Sequence, residues 1–163
     1  MSGAAAPSRV ALCARAQRRS SSADGPVLLV VGKRDLNHLA MHFVASRPGA
    51  RSHRCAQAHV LDVVRSTPID LILLDVDASL MAGFVLAAHI RAADRERNDS
   101  KSAAIVAATS SLRKFRECHA GGSAIEGVLK MPCDFTLFES FVDRWWLAND
   151  FATEQCDETN RVS

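Results

Sequence analysis

At 163 residues the chain has room for one domain with tails. Its net charge is only +2, which argues against a broad nucleic-acid or membrane-surface bias, and no apolar run is long enough to span a membrane. The five cysteines (Cys13, Cys55, Cys118, Cys133, Cys156) are odd in number, scattered and without a C-x-x-C pair. They read as reduced thiols of an intracellular protein, not a disulfide frame or a zinc site.

Residues 1–25 are rich in Ala, Ser and Arg, with Asp24 as their only acid. They read as a disordered tail; the alternative is an organelle transit peptide, which shares that composition. No continuous apolar stretch follows the first basic residue, which argues against a secretory signal. Arg18-Arg19-Ser20-Ser21 fits a basic-directed kinase site. Val27–Val31 is a β-branched run, predicted as a buried strand. Asp35 reads as a helix N-cap, with Leu36, Leu39, Ala40, Phe43 and Val44 at helical spacing before Pro48-Gly49. Residues 51–55 are predicted as a weak strand, polar enough for a sheet edge. Val60, Leu61, Val63 and Val64 suggest a short helix closed by Pro68. Ile69–Leu74 is the clearest strand.

Phe84 to Arg97 is predicted helical, with Phe84, Ala87, Ala88 and Arg91 marking the stripe. Ala103–Ala108 is a strand, and Leu112–His119 a short helix ending at Gly121-Gly122. Ile125–Leu129 is a fifth strand. Leu137, Phe138, Phe141, Val142 and Trp145 place an apolar stripe on a last helix. Alternating strands and helices imply an α/β fold: a doubly wound, five-stranded parallel sheet with helices on both faces, a three-layer sandwich over residues 26–148. Residues 149–163 are predicted to be a polar, frayed tail.

Three strand ends carry chemistry. Asp75, Thr109 and Lys130 close the third, fourth and fifth apolar runs. In a parallel sheet such ends converge on one edge, where open α/β sheets place their sites. The stretches DLILLDVDASLMAG, AAIVAATSS and IEGVLKMPC together resemble the receiver domain of two-component response regulators, over roughly residues 26–148. The resemblance implies the flavodoxin-like receiver fold. It makes Asp75 the phospho-acceptor-like position, with Thr109 and Lys130 in the phosphoryl-contact positions. A carboxylate nucleophile in that role needs exposure and cationic neighbours.

The departures are specific. The family holds Mg²⁺ with two acids after its first strand, where this chain has Gly32 and Lys33. A lysine cannot ligate a hard cation and repels it. Asp77 stands where the family lends a backbone carbonyl to the metal, and its side chain is a partial substitute at best. Ser79 replaces the usual loop proline. Met131 separates Lys130 from Pro132, where the family joins Lys to Pro directly through a peptide that is usually cis. Gly127 stands where an aromatic often rotates on activation. Lys33 at salt-bridge distance from Asp75 would supply the charge that Mg²⁺ supplies elsewhere; Asp75 with Lys130 is a second candidate ion pair.

Other constellations carry less. His38 and His42 have helical metal-pair spacing, but Leu39 stands where a metalloprotease needs its glutamate, so both read as a solvated face. Gly32-Lys33 lacks the rest of a phosphate loop. Cys118 and His119 diverge by about 100° on a helix. Trp146 is either a partner anchor or a cover for the helix end.

The resemblance and its departures imply a degenerate receiver with no catalytic activity of its own, and Mg²⁺ binding that is weak or absent. Its output would be phosphorylation-independent binding of a histidine kinase or other signalling protein, through the last helix and adjoining strand. Direct nucleic-acid or membrane partners are not expected, nor is a DNA-binding effector domain after residue 148. The expected location is cytoplasmic, or an organelle if residues 1–25 are a transit peptide. Two alternatives are an active phospho-accepting receiver using Asp75, and a flavodoxin-like small-ligand-binding domain or enzyme.

Overall fold

The computed structural model describes residues 25–32, 36–97, 102–119 and 124–144. The two predicted tails (but for Gly25), the Asp35 cap, the Lys33 pairing, Gly121-Gly122, Trp145 and Trp146 lie outside them. The strands are β1 (Val27–Val31), β2 (Arg51–Cys55), β3 (Leu71–Asp75), β4 (Ala104–Thr109) and β5 (Gly127–Lys130). The helices are α1 (Asn37–Ser46), α2 (Val60–Ser66), α3 (Leu80–Glu96), α4 (Leu112–Cys118) and α5 (135–144).

All strand pairs are parallel, in the order β2-β1-β3-β4-β5. Every residue of β1, β3 and β4 is buried. That is why these strands read as unbroken apolar runs: both faces are covered. Alternate residues go to opposite layers. Leu29, Val31, Ile72, Leu74 and Ile105 pack with Val60, Ile90 and Phe115. Leu28, Val30, Leu71, Leu73 and Val106 pack with Leu39, Phe43, Phe138 and Val142. The polar β2 lies at the edge, with all but Cys55 exposed.

Two helices differ from their predicted faces. α3 starts four residues before Phe84, because the Ser79 hydroxyl caps it by accepting from the Ala82 N–H at 3.2 Å. Its buried face is Gly83, Ala87, Ile90, Ala93 and Asp94; Ala88 is exposed. On α5, Phe138 and Val142 are buried, whereas Leu137 is 60% exposed. No described helix is long and apolar enough to cross a membrane.

Candidate functional site at the sheet edge

The strand order reverses between β1 and β3, and open α/β sheets form their crevice outside the strand ends at such a point. The chain leaves β1 through Gly32 and β3 through Asp75. Gly32 has φ +120°, a region that only glycine enters without strain. A Cβ placed on it would stand 2.6 Å from the Asp75 Cβ. Backbone therefore closes over the acid, and Asp75 is 8% exposed rather than open at the strand end.

Asp75 Oδ1 accepts from the Asp77 N–H at 3.0 Å. The Asp77 side chain itself reaches across to the end of β4. There the Thr109 hydroxyl donates to its Oδ1 at 2.9 Å, and the Ser110 N–H donates to the same oxygen at 2.9 Å and to Oδ2 at 3.2 Å. Thr109 is 1% exposed, and its Oγ1 accepts from the Ser111 N–H at 3.2 Å. Asp77 is thus a tie between two loops, a role its sequence position did not signal. Two donors converge on it from residues more than thirty positions away.

Lys130 pairs in register with Thr109 at the same edge and is exposed. Among the described residues no ion pair joins it to Asp75, so the second candidate ion pair is not formed. The first, Lys33 with Asp75, lies outside the described residues. Asp75 and Thr109 are brought together through Asp77, while Lys130 stands beside them. The Met131–Pro132 peptide is cis. At Gly127 an added Cβ would stand 3.3 Å from the Phe141 ring, so an aromatic of α5 fills the space beside that glycine.

His42 is not a solvated residue. It stacks on Phe135 of α5 at 4.4 Å, and its Nε2 lies 3.4 Å from Glu139. Arg47 holds the same Glu139 by two hydrogen bonds, at 2.9 and 2.8 Å, and covers the Phe43 ring. These contacts fasten α1 to α5. His38 is exposed as expected. Burial pushes the Cys55 thiol up; burial and then Asp134 do the same for Cys133, so neither is an activated nucleophile. His119 stacks on Phe115.

No protein-family model and no curated relative matches the sequence. Solved structures do match. Chemotaxis protein CheY4 of Vibrio cholerae is 20% identical with a TM-score of 0.56, over 73% of this chain and 97% of that one. A two-component response regulator from Clostridium difficile is 19% identical with a TM-score of 0.57, over 73% and 93%. The signal receiver domain of an HD-domain-containing protein from Pseudomonas fluorescens is 16% identical with a TM-score of 0.58, over 80% and 92%. The chain therefore has the flavodoxin-like fold of CheY-like receiver domains, as its sequence predicted.

Proposed function

We propose that this chain is a receiver-fold signalling module that works by binding a protein partner and does not use phosphorylation of Asp75 as its switch. The observation that carries this reading is the contact between Gly32 and Asp75. A side chain at position 32 meets the Asp75 Cβ at 2.6 Å, so no acid fits there without moving the backbone. Mg²⁺ takes near-octahedral oxygen ligands. Among the described residues Gly32 offers no side chain, and the Asp77 carboxylate is engaged by Thr109 and Ser110. These described groups do not supply the oxygen set that Mg²⁺ needs. The chain carries out no reaction of its own in this reading. Its partner is a histidine kinase or another signalling protein. Binding falls on the last helix, where Phe135 and Leu137 stand exposed.

The test is titration of the full chain with Mg²⁺ and beryllofluoride, followed by incubation with acetyl phosphate and intact-mass analysis. Weak or undetectable metal binding and an unlabelled Asp75 are expected. Saturable micromolar Mg²⁺ binding with stoichiometric labelling would sink the reading. That result would favour the second reading, a phospho-accepting receiver, which draws support from Asp75, Thr109 and Lys130 ending three adjacent strands.

A further inference from the structure

Two hydrogen-bond donors at the end of β4 point at one atom. The Thr109 hydroxyl and the Ser110 N–H both lie 2.9 Å from Asp77 Oδ1, and the Ser110 N–H also reaches Oδ2 at 3.2 Å. The Thr109 oxygen is fixed from behind by the Ser111 N–H, so its proton is directed outward. Its other acceptor, the Ser111 carbonyl, is farther away at 3.4 Å. A fixed hydroxyl and a backbone N–H aimed at a carboxylate form a seat for a small oxyanion.

We infer that Asp77 is the internal occupant of this seat, and that its carboxylate excludes small external oxyanions of the carboxylate and phosphate class. The occupant is held at both ends. Its N–H is tied to Asp75 Oδ1 at 3.0 Å while its carboxylate is tied to β4. The link runs from the β3 end to the β4 end and holds the seat beside Asp75 full. Asp77 itself is exposed, so solvent competes for the carboxylate and the tie is of moderate strength. A seat of that kind empties when its side chain is cut back. The inference deepens the phosphorylation-independent reading and takes its biological meaning from it.

The test uses the full chain and sodium formate as the probe. In Asp77→Ala the Thr109 hydroxyl and the Ser110 N–H lose their carboxylate acceptor. The Ser110 amide resonance should then move saturably with formate, with a midpoint in the millimolar range. The wild type should respond at least about tenfold more weakly, the factor a charge-assisted hydrogen bond represents. Inorganic phosphate should compete with formate. Adding Thr109→Val to Asp77→Ala should abolish the response, which places the anion at the hydroxyl. Should Asp77→Ala fail to fold, Asp77→Asn takes its place. A neutral amide oxygen holds the seat less firmly, so its formate response should exceed that of the wild type. Equal response in wild type and variant, or none in either folded variant, overturns the inference. Labelling of wild-type Asp75 by acetyl phosphate would overturn the functional reading instead, and the formate result would still stand on its own.

Discussion

The two ends of the sheet use carboxylates in the same way and differ in what surrounds them. Where the strands begin, Asp70 Oδ2 accepts from the Val27 N–H at 2.8 Å, and Asp94 Oδ2 accepts from the Ala103 N–H at 2.9 Å. Arg91 stands beside Asp94 at 3.4 Å and donates to the Ala103 carbonyl at 2.6 Å. Where the strands finish, Asp75 accepts from the Asp77 N–H, and Asp77 from the Ser110 N–H. An acid at a strand terminus is therefore no sign of function in itself. It satisfies backbone groups that the ladder leaves over, at either end. The end that carries the candidate site differs in other things: the reversal of strand order, a buried hydroxyl, an exposed lysine in register, and a glycine pressed onto the acid.

The largest expected effect tests that glycine. Gly32→Ala forces a side chain into a positive-φ backbone and against the Asp75 Cβ. Strain and overpacking together should cost about 4 kcal/mol, read as a shift in the urea midpoint. Gly32→Asp should be no better, so restoring an acid after β1 should not restore metal binding. A Gly32→Asp protein of native stability that binds Mg²⁺ would remove the main support for the proposed function.

Asp94→Ala tests the opposite end. Asp94 is 5% exposed, and its loss leaves the buried Ala103 N–H without its acceptor and takes from Arg91 the buried one of its two carboxylate partners. Arg91 keeps Glu126 and the Ala103 carbonyl, so the cost should be about 3 kcal/mol rather than more. Partner binding should be unchanged once the protein is folded. A loss of binding at full stability would show that this end takes part in binding.

The difference between the ends also explains what the sequence could reveal. β1, β3 and β4 were legible because burial on both faces leaves an apolar run that needs no partner to be recognised. The convergence of Asp75, Thr109 and Lys130 followed from parallel strands. Ser79 was legible only as a missing proline, although Ser followed three residues later by a free helical N–H is a cap signal. The exposed Leu137 falls outside the buried stripe for a related reason: apolar spacing alone does not fix which face of α5 meets the sheet. Asp77 on Thr109 and Ser110 was not legible at all. That tie depends on how two loops meet, and no local pattern encodes it. Gly32 looked like the absence of an acid, while its φ and its contact with Asp75 belong to the folded backbone.

A smaller effect is expected at Asp75. In Asp75→Asn the amide oxygen still accepts from the Asp77 N–H, so stability should change by less than about 1 kcal/mol. Asp75→Ala removes that acceptor and should cost more, about 1–2 kcal/mol. If the module works without phosphate, Asp75→Asn should bind its partner as the wild type does, measured by calorimetry. Loss of binding on that one-atom change would return Asp75 to a chemical role.

The smallest expected effect separates the ends by charge. At the strand-start end, burial pushes the Glu126 carboxyl above its ordinary value of 4.5, more than Arg91 beside it pulls it down; Asp94 adds to the rise. The native state therefore holds this proton to higher pH than the unfolded chain does. Its contribution to stability is complete below pH 4.5 and is lost as pH rises through the folded value. The 3.2 Å pair with Arg91 favours the ionised form, but by less than burial disfavours it. Glu126→Gln should remove that part of the pH slope and raise stability at neutral pH, by less than about 0.5 kcal/mol because the side chain is half exposed. Urea melts of both proteins from pH 4 to pH 8, on the order of one unit apart, would resolve it. A variant that loses stability at neutral pH would mean that the Arg91 pair outweighs burial, and that the strand-start end is held by charge after all.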